Sequence, residues 1–316
     1  MKIVIDAHIP FVAEAIRKEW PSVDICPMEP DYIDASAVCD AEVLVVRTRT
    51  RVNEALLAGS RVRLVCTATI GFDHIDTAYC EEQGIRWISC PGCNAQAVCD
   101  YIEEALEESK VKTQKSKVIG IVGVGHVGSL VARMAEREGY QVLLNDPPKG
   151  IGISLDEIAR KCDIITFHVP LDTSTYHMCD AEFLAKCKPG ALIINAARGG
   201  VVDEEALLHS GHPYILDTWE NEPAINPEVL QHALRASMHI AGYSVEGKRN
   251  ASQMCLDYIA EQFDLPKIDI SKCRYNDIST PKQNSNEPWL AAITQQLKSH
   301  PTSFDTLRKA YPLREG

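Results

Sequence analysis

Three glycines, Gly123, Gly125 and Gly128, stand between the apolar run VIGIV and the amphipathic run SLVARMAEREG. That order predicts a strand, a tight turn and a helix, which is the frame a dinucleotide needs. The first glycine permits the turn, the second lets backbone approach a pyrophosphate, and the third lets the helix pack against the strand. His126 and Val127, lying between them, add backbone amides at the positive end of the helix, where phosphate oxygens are held. Eighteen residues after Gly128 the run QVLLND ends at Asp146. A carboxylate there accepts hydrogen bonds from the adenosine ribose hydroxyls and repels a 2′-phosphate, so NAD is expected over NADP. Lys149 is the nearby charge that works against that preference.

Such a site has to be built at strand ends, and the chain supplies strands in two series. KIVID, AVCDAEVLVV, VRLVCTA and IRWISC are β-branched runs separated by helical or turn-rich stretches, the βαβ pattern of a parallel sheet. Residues 94–110 keep apolar positions at helical spacing and open with Asn94 as the N-cap. After the lysine-rich patch KVKTQKSK the alternation restarts at KVIGIVG, with later strand ends at NDPP, DIITFHVP, ALIINAA, YILDTW and MHIAG. Residues 244–263 predict another long helix returning the chain to the first series, and STPKQNSNEP a loop before the short amphipathic helix PWLAAITQQLKS. The expected fold is α/β with two Rossmann-like doubly wound domains, one over 1–93 with the return segment 248–266, the other over 94–247.

Composition agrees with two buried sheets and excludes several kinds of function. A chain of 316 residues exceeds the usual single core, and 45% hydrophobic with 24% charged residues is ordinary for a globular protein. The formal net charge of −12 disfavours nucleic acid and anionic lipid as partners. The N-terminus lacks the apolar stretch of a secretory signal and no run is long enough to span a bilayer, so a cytoplasmic protein is expected. The 12 cysteines scatter irregularly, mostly inside apolar runs, and are expected to be buried thiols. Cys90 and Cys93 have the spacing of a redox dithiol or half a zinc site, but without a second pair no metal is expected.

NAARGGVVDEEAL, LDTWENEP and MHIAGYSVEGK resemble the three catalytic signatures of the D-isomer-specific 2-hydroxyacid dehydrogenases. Each ends or follows an expected strand, where doubly wound sheets bind ligands. The resemblance implies NAD-dependent oxidation of a 2-hydroxy acid, with Arg198 holding the substrate carboxylate by its planar fork and polarising the carbonyl. His239 would be the general base, with an ordinary pKa of roughly 6.5 close to working pH. Glu222 would hydrogen-bond the histidine and fix its tautomer, Glu220 belonging to the variable part of the motif. Asp217 would face the nicotinamide carboxamide. Ala196, Ala197, Gly242 and Val169, which follows His168, are further expected cofactor contacts. His168 itself is expected to be a cofactor-side or packing residue.

RVNEALLAG, CTATIGFDHID, PGCNAQAV, NDPP and HIAGYSVEGK further resemble a branch of the family acting on a phosphorylated 2-hydroxy acid. On that resemblance residues 1–93 form a flavodoxin-like substrate domain, with Thr48, Thr69 and Tyr243 touching the substrate. Arg47 or Arg51, in the locally basic run Arg47 to Arg51, would hold its phosphate, with Lys248 and Arg249 as further candidates; the alternative is a solvated edge strand. The sequence departs from the pattern at His126, where asparagine is usual, and at Val169, where a hydroxyl is common. It also departs in its tail: 267–316 is expected to be a reduced C-terminal dimerisation segment of a homodimer. The alternatives are 3-phospho-D-glycerate or another D-2-hydroxy acid as substrate and, from a different class, a non-catalytic NAD-sensing corepressor-like partner protein.

Overall fold

The computed structural model describes residues 1–109, 117–273 and 288–314. The lysine-rich patch and the STPKQNSNEP loop lie outside the described residues, apart from Lys117 and Pro288. The chain divides into two units, one drawing on Met1–Asn94, Tyr243–Ser279 and Leu313–Gly316, the other on Ala95–Gly242 and Thr280–Pro312.

Unit 1 is built on β1 (Lys2–Asp6), β2 (Asp24–Met28), β3 (Val43–Val46), β4 (Leu64–Thr67) and β5 (Arg86–Ile88). They pair in parallel in the order β2-β1-β3-β4-β5, the flavodoxin-like order. The runs VLVV and LVCT are buried throughout, as a sheet covered on both faces requires. AVCDAEVLVV is a strand in its second half alone. Asp34 accepts a hydrogen bond from the Ala37 amide at 2.9 Å, and that cap turns Ala35–Val38 into a short helix. The return helix Val245–Phe263 buries Ala251, Cys255, Leu256 and Ile259 against the sheet.

Unit 2 carries β6 (Val118–Val122), β7 (Gln141–Asp146), β8 (Ile151–Gly152), β9 (Ile164–Phe167), β10 (Leu192–Asn195), β11 (Tyr214–Leu216) and β12 (Arg235–Ala236). Their order is β12-β11-β10-β9-β6-β7-β8, parallel except for the hairpin between β7 and β8. This is a doubly wound Rossmann sheet, and strand order reverses between β6 and β9, where such sheets bind ligands. The expected strand at MHIAG is absent: β12 ends at Ala236 and the chain continues as a loop, with His239 at φ +57°. The helix Ala95–Glu108 forms as expected, but Asn94 does not cap it: its Oδ1 is buried without a hydrogen-bond partner, and the residue packs beside Gly247.

The tail segment expected to mediate dimerisation has its apolar face inside unit 2. Helix Trp289–Ser299 buries Leu290 and Leu297, and Phe304 is buried behind it. Thr294 Oγ1 accepts the Ala236 amide hydrogen at 2.9 Å, occupying a donor of the edge strand β12 that would otherwise be open to another chain.

Candidate active site

At the strand-order reversal the backbone leaves β6 through Gly123, whose φ of +87° suits glycine. A Cβ there would lie 2.5 Å from the His168 carbonyl oxygen at the end of β9, and one at Gly128 would lie 1.9 Å from the Gly123 oxygen. The turn is therefore closed by backbone against backbone at both outer glycines. Gly125 differs. A Cβ on it would meet nothing closer than Lys149 Nζ at 4.0 Å, which leaves its backbone open beside the start of helix His126–Arg137. An open backbone at a helix N-terminus fits a pyrophosphate, so the residues present fit NAD.

Asp146 ends β7 beside this turn. Its Oδ2 accepts the Val124 amide hydrogen at 2.8 Å and lies 3.4 Å from Lys149 Nζ, which donates to the Val124 carbonyl at 2.8 Å. The carboxylate thus braces the glycine turn, and Lys149 is fixed next to it. Across the reversal His168 Nε2 lies 3.1 Å from Thr166 Oγ1, and burial pushes its imidazole down to about 3, so the ring stays neutral.

The catalytic candidates of unit 2 come together on three neighbouring loops. Arg198 follows β10, its loop held by buried Asn195, which donates to the Arg198 carbonyl at 2.8 Å and accepts the Ala197 amide hydrogen at 3.1 Å. Arg198 Nη1 donates to the Ala197 carbonyl at 2.8 Å. A Cβ at Gly199 would sit 1.9 Å from the Trp219 carbonyl oxygen, so glycine is what lets this loop meet the loop after β11.

Glu222 lies on that second loop. Its Oε1 accepts the Trp219 amide hydrogen at 2.9 Å and its Oε2 faces His239 Nδ1 at 2.8 Å. Burial acts to raise the Glu222 carboxyl, but the hydrogen bonds from His239 and Trp219 and the charge of Arg308 outweigh it and hold the group below the usual carboxylate range. An ionised Glu222 accepts, so Nδ1 carries hydrogen and Nε2 presents a lone pair, the form a general base needs.

His239 owes its place to Asp217. The Asp217 carbonyl accepts the His239 amide hydrogen at 2.7 Å, and its carboxylate accepts from Ser237 Oγ at 2.7 Å, Ile240 N at 2.8 Å and Ala241 N at 3.0 Å. Asp217 is 1% exposed, and hydrogen bonds to a charged acceptor contribute about 1.5–3 kcal/mol each, enough to hold the left-handed backbone at His239.

Two contributors were not legible from motifs. Glu204, buried, accepts the Glu220 amide hydrogen at 2.7 Å, and burial pushes its carboxyl up to about 7. Arg308, on tail helix Phe304–Ala310, adds positive charge at Glu222. Glu204 is the middle one of three consecutive acids, Asp203 to Glu205, so its type alone does not single it out.

The substrate candidates belong to unit 1. Thr48 is exposed in the turn after β3. Thr69, past the end of β4, donates to the Gly71 carbonyl at 2.8 Å and lies 2.6 Å from Thr67 Oγ1. Arg47 is bound on two nitrogens to the fully buried Asp6, at 2.8 and 3.1 Å, so much of its charge is already neutralised. Arg51 is exposed and has no ion pair among the described residues, which makes it the better phosphate candidate of the two. Lys248 Nζ lies over the Tyr243 ring at 5.3 Å, and Arg249 donates to the Cys273 carbonyl at 3.1 Å. Cys90 and Cys93 are buried, and Cys90 Sγ is 3.8 Å from Cys255 Sγ; burial pushes the Cys93 thiol up to about 12.

A doubly wound sheet with a glycine turn at its reversal and an Arg, Glu and His on adjoining loops defines a class. Residues 97–248 match the model of the D-isomer specific 2-hydroxyacid dehydrogenase NAD binding domain. Among relatives, the erythronate-4-phosphate dehydrogenase of Bacteroides fragilis is 43% identical over 99% of this chain and 97% of its own length. The chain belongs to the D-isomer-specific 2-hydroxyacid dehydrogenases, in the group of erythronate-4-phosphate dehydrogenases. Solved structures of the same fold include an NAD-bound 3-phosphoglycerate dehydrogenase of Entamoeba histolytica, 26% identical with a TM-score of 0.71 over 84% of this chain and 95% of that one. Another is D-lactate dehydrogenase of Aquifex aeolicus with NAD and lactic acid, 25% identical with a TM-score of 0.68 over 83% and 95%. The chain is an NAD-dependent oxidoreductase of this family.

Proposed function

We propose that the chain oxidises 4-phospho-D-erythronate at C2 to 3-hydroxy-2-oxo-4-phosphobutanoate, a step toward pyridoxal 5′-phosphate. The observation that carries this reading is the kinship to an erythronate-4-phosphate dehydrogenase across 99% of the chain. Gly123, Gly125, His126, Val127 and Gly128 would hold the pyrophosphate of NAD, Asp146 its ribose, and Val169, Ala196, Ala197, Asp217 and Gly242 its nicotinamide end; the bound cofactor would supply the hydride acceptor for C2.

Arg198 binds the substrate carboxylate and draws charge onto the oxygen that becomes the carbonyl. His239 Nε2 takes the C2 hydroxyl proton, and Glu222, 2.8 Å from Nδ1, stabilises the imidazolium that results. Thr48, Thr69 and Tyr243 contact the polyol, and Arg51, with Arg47 secondary, holds the phosphate. The protein acts as a cytoplasmic homodimer, with a contact surface other than the tail face buried by Leu290 and Leu297.

The test is NADH formation from 4-phospho-D-erythronate and, separately, from 3-phospho-D-glycerate. Faster oxidation of phosphoglycerate overturns the substrate assignment. Replacement His239→Ala is expected to abolish turnover while NADH binding stays within about twofold; surviving turnover removes His239 as the base.

A further inference from the structure

The loop after β4 holds a chain of three side chains whose hydrogen positions are forced. Thr69 Oγ1 lies 2.8 Å from the Gly71 carbonyl oxygen, which can only accept, so the single hydroxyl hydrogen of Thr69 is spent there. Thr69 and Thr67 hydroxyls are 2.6 Å apart, and with Thr69 spent, Thr67 is the donor. His74 Nε2 is 3.0 Å from Thr67 Oγ1, and with the Thr67 hydrogen also spent, the imidazole donates. Thr67 is fully buried, so water does not compete for its hydroxyl. Burial lowers the His74 pKa, a nearby Asp73 partly opposing it, and either protonation state keeps Nε2–H as a donor.

The direction of this relay sets what Thr69 can recognise. Its oxygen has given one hydrogen bond and received one, leaving a single lone pair. It can accept from a ligand hydroxyl, but it has no hydrogen for a carboxylate or phosphate oxygen.

We propose that the Gly71 carbonyl, by taking the Thr69 hydrogen, makes Thr69 an acceptor, and that His74, through the Thr67 hydroxyl, holds the Thr69 oxygen in the one orientation that reads the C3 hydroxyl of the substrate, His74 being a positioning residue and Thr69 the specificity contact. This rests on the assignment of a phosphorylated 2,3-dihydroxy acid as substrate. The C2 hydroxyl gives up its proton in the reaction, so the C3 hydroxyl is the donor that persists from substrate to product. The relay thereby selects 2-hydroxy acids with a neighbouring hydroxyl against those with a methylene there.

The experiment compares kcat/KM for 4-phospho-D-erythronate and its 3-deoxy analogue, D-2-hydroxy-4-phosphobutanoate, in the wild type, His74→Phe, His74→Gln and the buried isostere Thr67→Val. The wild type is expected to prefer the hydroxylated acid by about tenfold, the scale of one hydrogen bond. His74→Phe and Thr67→Val are expected to bring that ratio near unity through KM, with kcat on the deoxy analogue within about twofold of wild type. His74→Gln, whose amide can donate, restores the preference. An equal ratio in the wild type, or a full ratio retained in both relay-breaking variants, overturns the proposal. A wild type inactive on 4-phospho-D-erythronate overturns the substrate assignment instead. The pair D-glycerate and D-lactate, which differ by the same hydroxyl, then carries the same comparison.

Discussion

Glu222 Oε2 stands 2.8 Å from His239 Nδ1 while Glu222 Oε1 accepts the Trp219 amide hydrogen at 2.9 Å, so one carboxylate orients the imidazole and is itself held by backbone. Both of its oxygens are in use, and the group is ionised in spite of its burial. In Glu222→Gln the negative charge beside the imidazolium is gone. Plateau kcat is then expected to fall about 10- to 100-fold while the Kd for NADH is unchanged. A kcat within about twofold of wild type would show that the Glu222 charge does not assist His239.

Arg198 is expected to act through the geometry of its guanidinium as much as through its charge. Arg198→Lys keeps the charge and loses the fork, so KM for the hydroxy acid should rise about tenfold or more while the Kd for NADH, followed by fluorescence, is unchanged. An unchanged KM would place the substrate carboxylate elsewhere.

How far these residues could be read from sequence follows from the range of the interactions involved. The glycine turn was legible because its requirements are local: a tight turn, an open backbone at Gly125 and a helix start within a few residues. Arg198, Glu222 and His239 were legible as motif strings, although neither spacing nor periodicity implies that Gly199 meets Trp219 or that Asp217 builds the loop of His239. Contacts between distant segments leave no period. Thus the neutralisation of Arg47 by Asp6, the charge of Arg308 at Glu222 and the capping of β12 by Thr294 all appear in the fold alone. The two misread strands failed for a related reason: the Asp34 cap and the Asp217 hydrogen bonds override the β-branched pattern of AVCD and MHIAG.

Asp146 Oδ2 and Lys149 Nζ lie 3.4 Å apart beside the glycine turn, and the proposed function puts the adenosine ribose against Asp146. Asp146→Ser removes the repulsion toward a 2′-phosphate and leaves Lys149 beside it. The ratio of kcat/KM for NAD over NADP is expected to fall by about 100-fold, part of it as a rise in KM for NAD because the Val124 amide also loses its acceptor. The double variant Asp146→Ser with Lys149→Met should lose the gain on NADP but not the loss on NAD. A ratio that does not change in the single variant would mean that neither charge faces the ribose.

Glu204 ties the Glu222 loop to the helix Glu204–Ser210 and carries a carboxyl raised to about 7 by burial. A carboxyl whose folded pKa lies above its unfolded value of about 4.5 binds its proton more tightly when folded. Its contribution to stability is therefore fully present below pH ~4.5 and is lost as pH rises through about 7. For a group this buried the loss by pH 8 is on the order of 3 kcal/mol, which corresponds to a melting temperature lower by several degrees. In Glu204→Gln the amide oxygen still accepts the Glu220 amide hydrogen, while the charge that must be buried at high pH is absent. Between pH 5 and pH 8 the wild-type Tm is expected to fall more than that of Glu204→Gln, the variant being the more stable protein at pH 8. Parallel Tm profiles, measured at one protein concentration without cofactor, would show that Glu204 ionises in the folded protein at no cost.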